Sequence, residues 1–146
     1  MAALGELIEL RVDGREVEAR ARELLEPIYE YNRSLRGLFY LKPVHIVYRR
    51  GTGGLVKVYF YYGRYWYRVE YAGKRGNRSE LRWIYLGRER PPGAPPPPPN
   101  PLEGLSYFAL RGDESRIYVD ARVLVEFAWF FESLSSLRGL SASLTL

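Results

Sequence analysis

Between Val44 and Leu86 the chain is built from short runs of β-branched and aromatic residues, each closed by a glycine-containing turn signal. Such a segment is constrained to an antiparallel sheet, because those side chains fit a pleated, half-buried surface and the glycines punctuate it. The runs are Val44–Arg50, closed by Gly51-Thr52-Gly53-Gly54; Leu55–Tyr62, closed by Gly63-Arg64; Tyr65–Ala72, closed by GKRGN; and Arg78–Leu86. Gly63-Arg64 is a two-residue Gly-X pair suited to a type II′ hairpin. The pattern predicts a four-stranded antiparallel meander, with Pro43 just before its first strand.

Residues 6–12 (ELIELRV) read as a short strand or a helix lead-in. Asp13-Gly14 then starts a helix whose stripe is Val17, Ala21, Leu24, Leu25, Ile28 and Leu35. Pro27 is expected to kink or split it and Gly37 to end it. Residues 91–101, PPGAPPPPPNP, read as a semi-rigid polyproline spacer, or less readily as an SH3 or WW ligand. Asn100-Pro101-Leu102-Glu103 places an N-cap, an N1 proline and an N3 glutamate in order, which predicts a helix over Leu102–Leu110. Residues 115–138 fit two periods. Ile117, Val119, Ala121, Val123 and Val125 alternate as in a strand, whereas Ala121, Leu124, Val125, Ala128, Phe131 and Leu134 share a helical face. A strand of that length would be unusual, so a helix is expected. Its leucine stripe continues through Leu137 and Leu140 to Leu144.

The expected fold is α+β: a four-stranded antiparallel β-meander packed with N-terminal and C-terminal helices, and not an OB barrel. Residues 1–90 would form the helix-plus-sheet unit, 91–101 the linker, and 102–146 helices that pack on the sheet and mediate self-association.

Composition excludes much chemistry. The 146 residues include no cysteine and one histidine, His45, so thiolate chemistry, disulfides and histidine-rich metal sites are ruled out. No GxGxxG, Walker A, HExxH or nucleophile-elbow motif occurs. A metal-dependent nuclease needs clustered acids, and Asp113, Glu114 and Asp120 read as capping and surface residues. The expectation is a protein that is not an enzyme and carries no cofactor or metal. No signal peptide or run of 18 apolar residues is visible, which predicts a cytoplasmic protein without a membrane partner.

Charge points to a polyanion. From Arg33 to Arg90 there are 14 Lys/Arg and three acids, Glu70, Glu80 and Glu89, a net of +11, and the remainder carries −6. Lysine occurs only at Lys42, Lys57 and Lys74; every other basic residue is arginine, which pairs with phosphate and stacks on bases. The same basic segment holds KVYFYYGRYWYRVEY, residues 57–71, with eight aromatic residues.

A Gly63-Arg64 turn sorts those rings. Phe60, Tyr62, Tyr65, Tyr67 and Tyr71, joined by Leu81, Trp83 and Tyr85, fall on the side that helices would cover. Tyr59, Tyr61 and Trp66 fall on the other side with Ile46, Tyr48, Lys57, Arg68 and Arg82, while Arg49, Arg50, Arg64, Lys74, Arg75 and Arg78 reach its edges from the turns. Rings framed by cations suit single-stranded nucleic acid, where each stacked base contributes about 1–3 kcal/mol and the rim neutralises phosphates.

The order of an acidic helical N-terminus, an aromatic–basic meander, the stretch YWYRVEYAGKRGNRSELRWIYLGRERP, a proline stretch and a C-terminal helix resembles the ThermoDBP-related single-stranded DNA-binding proteins of hyperthermophilic archaea. The similarity covers mainly residues 15–130 and rests on the Tyr-Trp-Tyr-Arg and Trp-Ile-Tyr-Leu-Gly stretches. It implies helices on a four-stranded sheet and an exposed cleft, with hydrophobic floor and basic walls, that takes single-stranded DNA. It also implies oligomers, dimeric or tetrameric, held through C-terminal elements. This chain has no long heptad zipper, so Phe127, Phe130, Phe131, Leu134 and Leu137 are the expected interface. The absent cysteine and single methionine also fit a thermophile.

The leading expectation is therefore a non-catalytic, sequence-tolerant single-stranded DNA-binding protein, with RNA left open. Two alternatives stand beside it. YWYRVEYAGKRGN and YLGRE are also similar to the duplex-binding three-stranded arm-binding domains of phage-type integrases. A structural oligomerisation module with an incidental basic surface is the other.

Overall fold

The computed structural model describes residues 6–143, so Leu144 and the end of the tail lie outside the described residues. The elements are β1 (Leu7–Arg11), α1 (Gly14–Ser34), β2 (Phe39–Arg50), β3 (Val56–Arg75), β4 (Arg78–Gly87), β5 (Ser106–Leu110), β6 (Arg116–Asp120), α2 (Ala121–Glu126), α3 (Ala128–Glu132) and β7 (Gly139–Ser143). Seven strands form one antiparallel sheet in the order β2-β3-β5-β6-β1-β7, with β4 also paired to β3. This corrects the expected four-stranded meander. Residues 102–146 contribute three strands as well as two short helices, so the sheet crosses the proline stretch.

Gly63-Arg64 is not a hairpin turn. β3 runs through it for 20 residues. β2 pairs along β3 from Phe39↔Arg68 to Arg50↔Val56, and the register shifts between Lys42 and Val44, opposite Tyr65 and Tyr62. One extra residue on β3 is taken up there as a bulge. Pro43 sits inside β2 at that point rather than before the strand, where its missing N–H costs no ladder bond. Asn100 closes the site, its Nδ2 donating to the carbonyls of Pro43 and Gly63 at 3.2 and 2.9 Å. The bulge places Tyr62 and Tyr65 opposite residues of one face of β2, as a two-residue turn would, so much of the expected face sorting holds although the strand partners change. Phe60, for example, lies between Ile46 of β2 and Tyr107 of β5.

α1 begins at Asp13, whose carboxylate accepts from the Arg15 backbone N–H, and continues unsplit through Pro27. Its buried stripe is Val17, Ala21, Leu25, Ile28 and Asn32, at helical spacing. Burial of Val17, Leu25 and Ile28 contributes about 1.5–3 kcal/mol each. Asn32 is the polar member. Its Nδ2 donates to Leu41 O and its Oδ1 accepts from Leu41 N, both at 2.8 Å, so it behaves as a one-residue strand on the outer edge of β2.

The ambiguous stretch after Ser115 satisfies both of its periods in succession. Ile117 and Val119 belong to β6, which pairs with β1. Asp120 then accepts from Arg122 N as an N-cap and the chain turns into α2. Leu102–Leu110 is likewise not a helix. The Asn100 side chain accepts from Leu102 N, but a turn follows and then β5. The proline stretch lies against the fold: Ala94 is buried and Tyr31 Oη donates to Pro95 O.

Candidate nucleic-acid interface

α1 covers only part of its sheet face. At about 1.5 Å per residue a 21-residue helix reaches roughly 32 Å, whereas a 20-residue strand at about 3.3 Å reaches roughly 66 Å. Two openings result. One is a cleft along the seam between α1 and β2, formed by three adjoining chambers of about 490, 360 and 340 Å³. Its floor is Val44, Ile46, Val58 and Phe60, and Arg22 and Lys42 stand on its walls. Glu18, on the wall of the middle chamber, has its carboxyl pKa pushed up by burial, with Glu114 adding to the rise.

The other opening is the uncovered arm of the sheet beyond the helix. Cross-strand pairs Tyr67↔Tyr85, Val69↔Trp83 and Tyr71↔Leu81 share one face. Trp83 is 52 % exposed, and Tyr71, Leu81 and Tyr85 are at least as open. Edge contacts tie this strip to the cleft: Tyr40–Trp83 at 5.4 Å, Tyr67–Trp83 at 6.1 Å, and a tilted Tyr67–Tyr85 contact at 5.4 Å. Tyr40, Tyr67 and Trp83 line the largest chamber together with Tyr29. Cleft and strip form one aromatic track.

The opposite face carries a second row. Tyr61 and Tyr59 lie parallel at 6.0 Å, Tyr59 meets Phe108 at 5.0 Å, and Phe108 stacks on Tyr118 at 5.0 Å. Arg49 lies over Tyr59 and Lys57 over Phe108, each at 5.1 Å. Phe108 and Tyr118 are buried, and Tyr59 and Tyr61 are half-buried. The cations that were expected to meet phosphates here already rest on the rings.

The expected site residues therefore divide. Arg49, Lys57, Tyr59 and Tyr61 share the second row. Tyr48 and Ile46, expected on the face of Tyr59, lie instead on the cleft face, because they pair with Val58 and Phe60; Tyr48 sits at the far end of the cleft with Arg111 over its ring at 5.9 Å, and Arg50 is exposed at the end of β2. Trp66 is 1 % exposed, paired with Leu41 and met edge-on by Tyr31 at 6.2 Å, so it is core and offers no stacking surface. Arg64, Arg68 and Arg75 form ion pairs with Glu103, Glu70 and Glu80 at 2.6, 2.9 and 3.0 Å. Lys74 and Arg82 are exposed along the β3–β4 hairpin. The residues that sequence reasoning missed are Trp83, Tyr85, Tyr71 and Leu81, which it assigned to a covered core, together with Tyr40, Lys42 and Arg22. Strand length against helix length is the signal for them, and an expected turn at Gly63 hides it.

Phe127, Phe130, Phe131 and Leu134, expected between subunits, are buried within the chain and Leu137 packs against them. Among the described residues no three His, Cys, Asp or Glu side chains cluster as a metal site. No helix there is long and apolar enough to cross a membrane. His45 packs beside Tyr65 at 5.4 Å. Comparison with protein-family models, curated proteins and solved structures returns no match to the chain.

Proposed function

We propose that the protein binds single-stranded nucleic acid without catalysis and with little sequence preference, the strand lying along the aromatic track from the β3–β4 strip into the cleft beside α1. The observation that carries this reading is the open strip of Tyr71, Trp83 and Tyr85 in the most basic part of the chain. A soluble fold gains nothing by leaving three such rings half in water, whereas a base stacked on each contributes about 1–3 kcal/mol. Any base has a π-face, so the track tolerates sequence. Arg22 and Lys42 stand where the phosphates of a seated strand would pass. The resemblance to ThermoDBP-related proteins supports the same reading, since it implies a hydrophobic-floored cleft with basic walls. On this reading the protein works in the cytoplasm with the nucleoid.

A fluorescence titration with labelled oligo-dT at two salt concentrations tests it. Binding that weakens as salt rises is expected. Absence of binding at low salt, or binding indifferent to salt, overturns it.

A further inference from the structure

The β3–β4 hairpin continues past the end of its neighbour β2. The last β2–β3 pair is Phe39↔Arg68, and Leu38 O accepts from Val69 N at 3.1 Å just beyond it. From Glu70 to Arg82 the two strands pair only with each other. They form a ribbon closed by Gly76-Asn77, with Gly76 at φ +59 in the first central position. At about 3.3 Å per residue the tip stands roughly 20 Å beyond the Val69↔Trp83 pair.

The chemistry changes along the ribbon. Its base carries the rings, which end at Tyr71. Residues 72–80 (AGKRGNRSE) contain no aromatic residue and present Lys74, Arg75 and Arg78, all exposed, with Arg75 also paired at 3.0 Å to the single acid Glu80. A single strand is held by stacking platforms together with cations. A stacked duplex offers a protein its phosphates without unpaired bases. The tip suits the second ligand and the base suits the first.

We infer that the protein recognises the junction between single-stranded and duplex DNA, seating the single strand on the aromatic track while the ribbon tip contacts phosphates of the flanking duplex. This rests on the single-strand reading above. Titration of three ligands at several salt concentrations tests it: an oligo-dT, a DNA hairpin bearing the same oligo-dT as a tail, and the blunt hairpin. The tailed hairpin should bind tightest, with log K falling more steeply with log salt by about 2–3 than for oligo-dT, the mark of about two to three additional phosphate contacts. Replacing Lys74, Arg75 and Arg78 with alanine should remove that increment and weaken oligo-dT binding far less than junction binding, while Trp83→Ala should weaken both ligands. A tailed hairpin that binds no tighter than its tail, a blunt hairpin that binds as tightly as the tailed one, or a triple variant that loses oligo-dT affinity as much as junction affinity overturns the inference. Failure to bind oligo-dT at all overturns the single-strand reading beneath it.

Discussion

Two tryptophans in the same hairpin should respond to alanine in opposite ways. Trp83 is half in water, pairs with Val69 across the strands and makes T-shaped contacts with Tyr40 and Tyr67. Removing it forfeits these contacts and the roughly half of its surface that is buried, so the fold should lose about 2–3 kcal/mol. That is about 4–12 °C in Tm for a chain of this size. A base stacked on the same ring contributes about 1–3 kcal/mol, so Trp83→Ala should weaken oligo-dT binding roughly 5- to 150-fold. Trp66 is buried against Leu41 and Tyr31. Its loss leaves a cavity and should cost about 3–5 kcal/mol of stability, with binding by the surviving folded fraction little changed. Chemical denaturation followed by circular dichroism gives the stability arm, and anisotropy of labelled oligo-dT gives the binding arm. A Trp83→Ala protein that binds as well as the parent, or a Trp66→Ala protein that keeps its stability and loses binding, would refute the assignment of the site to the open strip.

Alanine at Arg22 or Lys42 should leave Tm nearly unchanged and reduce the salt slope of oligo-dT binding by about 0.7 each, since each removes one phosphate contact on a single strand. Asn32→Ala should cost about 2–5 kcal/mol in urea unfolding, because the buried N–H and C=O of Leu41 both lose their partner. Glu16 ties α1 to the chain after α3: the hydroxyls of Ser135 and Ser136 donate to its carboxylate, as do their backbone N–H groups. Those bonds, the Ser135 hydroxyl foremost, hold its pKa at about 2 against an ordinary 4.5. Because the folded value is the lower one, this contribution is complete above pH 4.5 and is lost as pH falls through about 2. A Tm–pH profile of Glu16→Gln should be less stable at neutral pH and flatter across that acid range.

The local chemistry of most elements was legible in the sequence, and their partners were not. The helical stripe from Val17 to Ile28 and the β-character of residues 44–86 follow from periodicity alone, and both stand. Gly63-Arg64 carried the local signature of a hairpin. Pro43 opposite it and Asn100 across it make the same pair a bulge, and neither is its neighbour in sequence. That one substitution of bulge for turn lengthened β3 and carried Trp83 and Tyr85 out from under the helix. The stretch from Ile117 to Leu134 was ambiguous because it is strand and then helix, and the switch is the cap at Asp120. Trp66 and Tyr59 share a parity-based face in the linear reading. Burial separates them, because Tyr31 reaches Trp66 from the end of α1.

The pairing of β1 also has a temporal side. β1 lies between β6 and β7, with Leu10 facing Ile117 on one side and Leu140 on the other. During synthesis β1 thus has no neighbour until Arg116–Asp120 follow it, and its second partner, Gly139–Ser143, comes later still. The edge of β3 at residues 57–61 likewise waits for β5. Contacts this distant close slowly, since the entropy of ordering the intervening chain is lost before the contacts compensate it. A nascent chain can form α1 and the β2–β3–β4 ribbon early while presenting an unpaired, tyrosine-rich edge to its surroundings. A fragment ending in the proline stretch would keep that edge open permanently, and aggregation rather than a smaller working protein is its expected fate.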